Sequence, residues 1–205
     1  MGLTANAICN GLDALGAAHP RVAAAVRQAG YPEPRMRERG YQTLLRTIVG
    51  QQVSVAAAAS VWRKLKAELG TPVRPETLLA RDFATLRACG LSRQKQGYAR
   101  SLSELVASEE LDLMSLPQDD EKAIAELTRI KGIGRWSAEI YLLFAEGRPD
   151  IWPAGDLAVR AGLAKILALN ERPDEQATRE MAEQWRPHRS ALAIFTWHVY
   201  NNPAI

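Results

Sequence analysis

Residues 127–138 read Leu127-Thr128-Arg129-Ile130-Lys131-Gly132-Ile133-Gly134-Arg135-Trp136-Ser137-Ala138. The pattern is a short helix, a two-glycine hairpin and a second helix in immediate succession. Glycines reach positive φ and expose bare backbone amides, so such a hairpin can form a concave nest of N–H donors at a helix start. The positive end of the helix dipole lies behind the nest, and the two together suit a phosphate. Lys131 and Arg135 flank the glycines and add charge, while Ile130 and Ile133 are placed to pack the helices together. Gly-x-Gly alone is common, and a plain tight turn between helices is the alternative.

Upstream of the hairpin, Leu44, Leu45, Ile48, Val49, Val53, Val61 and Leu65 recur at three- and four-residue steps, which predicts one long or two short helices over 41–69. Gly70-Thr71-Pro72 ends that stretch. Short helical pieces are expected at 75–80 and 82–89, and Ser92 caps a helix over 93–106. Residues 121–128 form the helix entering the hairpin and 136–145 the apolar helix leaving it. A loop over 147–155 then leads to helices at 157–169, 174–185 and 190–200, and the residues before 41 read as helical over 5–15 and 20–28. Runs with strict strand alternation are absent, so the expected fold is all-α, with roughly nine or ten short helices.

A chain of 205 residues, 47% hydrophobic and 24% charged, is long enough to bury a real core. Cys9 and Cys89 are too few for a disulfide framework or a cysteine-ligated cluster, and His19, His188 and His198 have no metal-ligand spacing. No charged-then-apolar leader opens the chain and no apolar run spans a bilayer, so a cytoplasmic setting is expected. The net charge of +3 permits a polyanionic partner without requiring one, with Arg35, Arg37, Arg39, Arg186 and Arg189 in local groups.

The hairpin resembles that of the helix–hairpin–helix DNA glycosylase superfamily, whose members carry a Gly/Pro-rich loop and an aspartate downstream of it. The loop here is Trp152-Pro153-Ala154-Gly155-Asp156-Leu157-Ala158-Val159-Arg160. The resemblance runs from about Tyr41 to Tyr200 and is nearest to the 3-methyladenine DNA glycosylase II branch. Thr47-Ile48-Val49-Gly50-Gln51-Gln52-Val53-Ser54 and Gln184-Trp185-Arg186-Pro187-His188-Arg189-Ser190 carry it besides the hairpin. It implies two helical lobes flanking a cleft, without an N-terminal β domain: lobe one about 36–135, lobe two about 1–35 plus 136–205.

It further implies that Asp156 is the catalytic carboxylate, since cleaving an N-glycosidic bond develops oxocarbenium character that a nearby anion stabilises. The plain structural role of Asp156 is a helix cap, and the two roles are compatible. Relatives that cleave the strand through a Schiff base place a lysine where this chain has Trp136, so a monofunctional enzyme using water is expected. The cluster-bearing relatives place four cysteines near the C-terminus, and this chain has none after Cys89. Trp136, Trp197 and Tyr141 are the aromatic faces expected around the base, whereas core packing suits Trp62 and Trp185.

Gln51, Gln52, Lys131, Gly132, Ile133, Gly134 and Arg135 are the expected DNA contacts. In the family the loop within Gly50-to-Ser54 inserts a side chain into the duplex as the target base flips out. The 3-methyladenine glycosylase II pattern has leucine where Gln52 stands, and other branches carry the Gln-Gln pair. Gly90-Leu91-Ser92-Arg93-Gln94-Lys95 resembles the family's second backbone-facing turn. No redox metal or organic cofactor is expected; a monovalent cation on the hairpin carbonyls is the one ion the resemblance implies. The expected activity is excision of alkylated, 3-methyladenine-like purines from double-stranded DNA by a monomeric enzyme. The alternatives are a non-catalytic DNA-binding module or a glycosylase for another lesion class.

Overall fold

Caps and apolar spacing set the helices of the computed structural model, which describes residues 2–202. In chain order they are α1 (Ala5–Ala18), α2 (Pro20–Ala29), α3 (Tyr41–Gly50), α4 (Val55–Leu69), α5 (Pro75–Leu79) and α6 (Phe83–Ala88). There follow α7 (Arg93–Ala107), α8 (Asp120–Thr128), α9 (Arg135–Tyr141), α10 (Leu157–Ile166), α11 (Glu175–Met181) and α12 (Arg189–Asn201). Among the described residues there are therefore twelve α-helices and no strand, more helices than the nine or ten expected.

The stretch 41–69 breaks in two because Ser54 accepts the Ala57 amide and starts a new helix at Val55. Beyond α9 the chain winds into a π-helical turn, Leu142–Glu146, and beyond α11 into a 3-10 turn, Ala182–Trp185. The helix expected over 157–169 stops at Ile166, shortly before Ala168 turns to a φ of 47°.

The chain divides into two units, one comprising the residues through Arg37 together with those from Glu139 onward, the other Glu38–Ala138. In the discontinuous unit α12 packs against α1 and α10, and α2 packs against α1. The crossing of α10 and α12 is close enough that a Cβ on Gly162 would lie 2.1 Å from the Thr196 carbonyl oxygen. In the continuous unit α7 is central, touching α3, α5 and α6, with Leu44, Leu45, Ile48, Leu65, Leu78, Leu86 and Leu102 buried around it. Trp62 and Trp185 are core residues, and the Arg46 guanidinium sits 5.4 Å over the Trp62 ring. No helix among the described residues is long and apolar enough to cross a membrane.

Candidate active site and nucleic-acid interface

Asp156 closes a tight turn in which its own amide donates to the Pro153 carbonyl at 2.9 Å and the Ala154 amide donates to that of Trp152. Its side chain then caps α10. Oδ1 accepts from the amides of Ala158 at 2.8 Å and Val159 at 3.0 Å, and from the indole Nε1–H of Trp197 at 3.1 Å. Three donors on one oxygen fix the orientation of a half-buried carboxylate, and two of them belong to the positive end of a helix. The capping role and the placing of a charge are thus the same geometry.

Trp197, half-buried, is tied to the carboxylate by its N–H, and its ring meets Phe144 of the π turn in a tilted contact at 5.4 Å. Tyr141 is buried to 3% exposure and offers no open ring face. It lies in a run, 137–145, in which every residue is buried. Of the three expected aromatics, Trp136 is the one exposed, at 46%, on the first turn of α9.

The loop before Asp156 is held by the segment that resembled the family near the C-terminus. Arg189, only 8% exposed, grips Asp150 through Nε at 2.9 Å and through a second nitrogen at 3.0 Å, and donates to the Asp150 carbonyl at 2.7 Å. Ser190 Oγ donates to the Arg148 carbonyl and accepts the Ile151 amide at 2.8 Å. Arg186 pairs with Asp150 at 2.7 Å and Glu183 at 2.8 Å, and the guanidinium is held charged above its ordinary range mainly by the Glu183 hydrogen bond. These arginines are committed to carboxylates, so they clamp the loop and contribute no local excess of positive charge. Trp152 meets Trp185 in a tilted ring contact at 5.4 Å.

The hairpin, α9's first residues and the loop between α3 and α4 belong to the continuous unit. Ile130 and Ile133 are buried as anticipated, and the Ile133 amide donates to the Ile130 carbonyl at 3.0 Å. The Lys131 amide is spent on Ser101 Oγ at 3.1 Å. The amides of Gly132 and Gly134 have no hydrogen-bond partner among the described residues, so the nest of N–H groups is made by the glycines alone. Only Gly132 needs positive φ, at 82°, and a Cβ there would strike the Tyr98 ring at 2.2 Å. At Gly134 a Cβ would meet nothing within 4 Å, so the missing side chain leaves the amide open from outside.

Arg135 forms a two-bond pair with Glu121, one contact at 2.8 Å, which offsets the charge expected from it beside the glycines. Lys131 is exposed. Gln51 reaches across to the hairpin, its Nε2 donating to the Gly132 carbonyl at 2.8 Å. Gln52 is exposed and held at a φ of 55°, a left-handed conformation that a non-glycine residue adopts at a cost of about 1 kcal/mol. Lys95 donates from Nζ to the Val49 carbonyl at 2.7 Å, and burial holds its ammonium below the usual lysine range. Ser92 caps α7 as expected, accepting the Lys95 amide at 3.3 Å. Gln51 thus ties the turn after α3 to the hairpin, and Lys95 ties the start of α7 to the last turn of α3. Ser101 escaped sequence reasoning because the Lys131 amide it accepts lies 30 positions away.

Residues 45–187 match the model of the HhH-GPD superfamily of base excision DNA repair proteins. The DNA-3-methyladenine glycosylase 1 of Schizosaccharomyces pombe is 33% identical over 165 residues, covering 77% of this chain and 71% of that one. A DNA-3-methyladenine glycosidase of Bacillus halodurans is similar in structure, with a TM-score of 0.86, 27% identity, and coverage of 94% of this chain and 89% of that one. The Schizosaccharomyces pombe 3-methyladenine DNA glycosylase solved in complex with abasic DNA follows with a TM-score of 0.71, 28% identity, and coverage of 90% and 93%.

Proposed function

Because the chain belongs to the HhH-GPD superfamily of base excision DNA repair proteins, we propose that it is a monofunctional DNA glycosylase. It releases alkylated purines of the 3-methyladenine kind from duplex DNA by hydrolysis of the N-glycosidic bond. The observation that carries this reading is the carboxylate of Asp156, oriented by three donors at the start of α10. As the bond to the base lengthens, positive charge grows on the deoxyribose, and a fixed anion stabilises it without reorganising. The same carboxylate can orient the water that completes hydrolysis. Trp197 is a positioning residue in this scheme.

Trp136 supports two parts of the reading. It leaves no amine where a Schiff base would form, and its exposed indole is worth about 0.5–2 kcal/mol toward a cationic ring stacked on it. The names of the three relatives given above, each a 3-methyladenine glycosylase or glycosidase, favour an alkylated base. The glycine amides of the hairpin and Lys131 take the phosphate backbone, and Gln52, at the exposed tip of its loop, enters the space of the flipped nucleotide. The hairpin carbonyls suit a monovalent cation as oxygen ligands. Those of Ile130 and Gly132 already accept from the Ile133 amide and the Gln51 side chain, and each keeps a second lone pair. The protein works as a monomer beside the chromosomal DNA.

The test incubates the purified protein with duplexes each bearing one damaged base, including 3-methyladenine, and scores abasic sites. Base release by the wild type, none by Asp156→Asn with affinity for abasic duplex retained, and no borohydride-trapped adduct are expected. An adduct would sink the water mechanism. Release by Asp156→Asn at the wild-type rate would remove the carboxylate from the chemistry and leave a DNA-binding module.

A further inference from the structure

Among the described residues, every buried or half-buried arginine and lysine is spent on an oxygen of the chain, with one exception. Arg81, Arg148, Arg179 and Arg189 pair with carboxylates, and Lys95 and Arg100 donate to backbone carbonyls. The exception is Arg160, half-buried on α10. Its Nε is buried without a hydrogen-bond partner, and no carboxylate, carbonyl or aromatic ring takes its guanidinium. Arg100 also has an unpartnered Nε, but its two terminal nitrogens are both given to carbonyls. Withdrawing a charged donor from water without an acceptor is unfavourable, so the acceptor for Arg160 is to be sought outside the chain.

Arg160 follows Asp156 by one helical turn, and its amide donates to the Asp156 carbonyl at 3.1 Å. Positions four apart share one side of a helix, which sets a cation beside the carboxylate without pairing the two. We propose that Arg160 binds a phosphate of the damaged strand next to the flipped nucleotide, and that this contact lets Asp156 come close to the deoxyribose. A carboxylate that stabilises charge on the sugar must approach a nucleotide whose own phosphates are anionic. Where water is displaced, like charges repel strongly, and a guanidinium one turn away offsets the repulsion. Its planar fork matches two phosphate oxygens, and phosphates are the anionic acceptors that DNA offers. The inference rests on the reading of Asp156 as the carboxylate that meets the deoxyribose.

The test compares the wild type with Arg160→Gln and Arg160→Met on duplexes containing an abasic site, in which the phosphates flanking that site are replaced one at a time by neutral methylphosphonates. The wild type is expected to lose about tenfold in affinity at one flanking position, the lower end for a hydrogen bond to a charged group. Arg160→Gln should bind the unmodified duplex about tenfold more weakly and be indifferent to the methylphosphonate at that same position. The slope of its log affinity against log salt falls by about one. A role in helix packing alone would lower the melting temperature without singling out a phosphate. Arg160→Met fills the same space with an apolar stem and should behave as Arg160→Gln does, so either folded variant decides the matter. Failure of both to fold would make Arg160 a structural residue and overturn the proposal. So would wild-type affinity in both, or a wild-type penalty at every methylphosphonate, and each of these leaves the glycosylase reading in place. Failure of the wild type itself to bind abasic duplex or to release any damaged base removes that reading, and the phosphate contact with it.

Discussion

The indole N–H of Trp197, on α12, points at Oδ1 of Asp156, the cap of α10, across 3.1 Å. The same oxygen already holds two amides of the α10 first turn, and the indole adds a donor from another helix. Trp197→Phe keeps the stack on Phe144 and deletes that donor. A hydrogen bond to a charged acceptor contributes about 1.5–3 kcal/mol, so kcat for base release is expected to fall about 10- to 100-fold with little change in KM. Single-turnover release of a methylated base checks it, and a variant as fast as the wild type would return Trp197 to mere core packing.

What lets the indole reach is the approach of α10 to α12 at Gly162. A Cβ there would lie 2.1 Å from the Thr196 carbonyl oxygen and 2.7 Å from its carbon. Both atoms are backbone, so the helices themselves must part. Gly162→Ala is expected to lower Tm by roughly 5–10 °C, as overpacking of a domain of this size does. The residual folded protein should also lose activity, since Thr196 immediately precedes Trp197. A thermal melt together with kcat at a temperature where the variant is folded separates the two effects. Unchanged melting would contradict the crossing described here.

Half of the helices carry their own punctuation: Ser54, Asp82, Ser92, Asp119, Asp156 and Asp174 each accept an amide at the start of the helix that follows. Asp156 was picked out by the resemblance of its 152–160 loop, and its capping of α10 was the part legible locally. The aromatic wall was not legible. Residues 137–145 are buried all round, so periodicity gives no hint of which side chain faces outward, and Tyr141 was assigned to a face that does not exist. The bond from Trp197 to Asp156 was not legible either, because its partners lie 41 positions apart. Arg186 and Arg189 were read as part of a basic group because Asp150, their shared counter-ion, is 36 and 39 positions off.

Trp136 is the exposed aromatic of the set, and its role differs between lesions. A cationic base such as 3-methyladenine gains about 0.5–2 kcal/mol over an indole face that a neutral base does not. Trp136→Ala is therefore expected to slow release of the cationic lesion about 2- to 30-fold more than that of a neutral one, with Trp136→Phe intermediate. Competition between two lesion-bearing duplexes in one reaction measures the ratio directly. An equal loss for both would make Trp136 a steric wall only.

At the hairpin, Gly132 is constrained twice, by a φ of 82° and by the Tyr98 ring at 2.2 Å from any Cβ. Gly132→Ala is expected to weaken binding to undamaged duplex at low salt by about an order of magnitude, since it displaces the amides that meet the phosphate. Gly134→Ala meets no protein atom within 4 Å, so it should fold as the wild type does and still lose affinity, because the methyl group occupies the space of the phosphate. Binding isotherms beside melting curves distinguish the two, and full affinity in Gly134→Ala would take the amide nest out of the DNA contact.

Tyr41 gives the chain a distinct response to alkali. Burial pushes its hydroxyl up to about 12 from 10.0, outweighing the hydrogen bond with Ser103 Oγ at 2.7 Å, which acts the other way. The folded state thus keeps a proton that the unfolded chain releases near pH 10, and it binds more protons than the unfolded state between those values. The contribution is fully present below about pH 10 and is lost as pH rises through 10 to about 12. Tyr41→Phe removes the titrating group, so the decline of Tm across that window should be shallower in the variant than in the wild type. Ultraviolet titration of tyrosinate should show a component ionising near 12 in the native protein that is missing from Tyr41→Phe. A native titration with every tyrosine ionised by pH 10.5 would show that Tyr41 is not shielded by α7 as described.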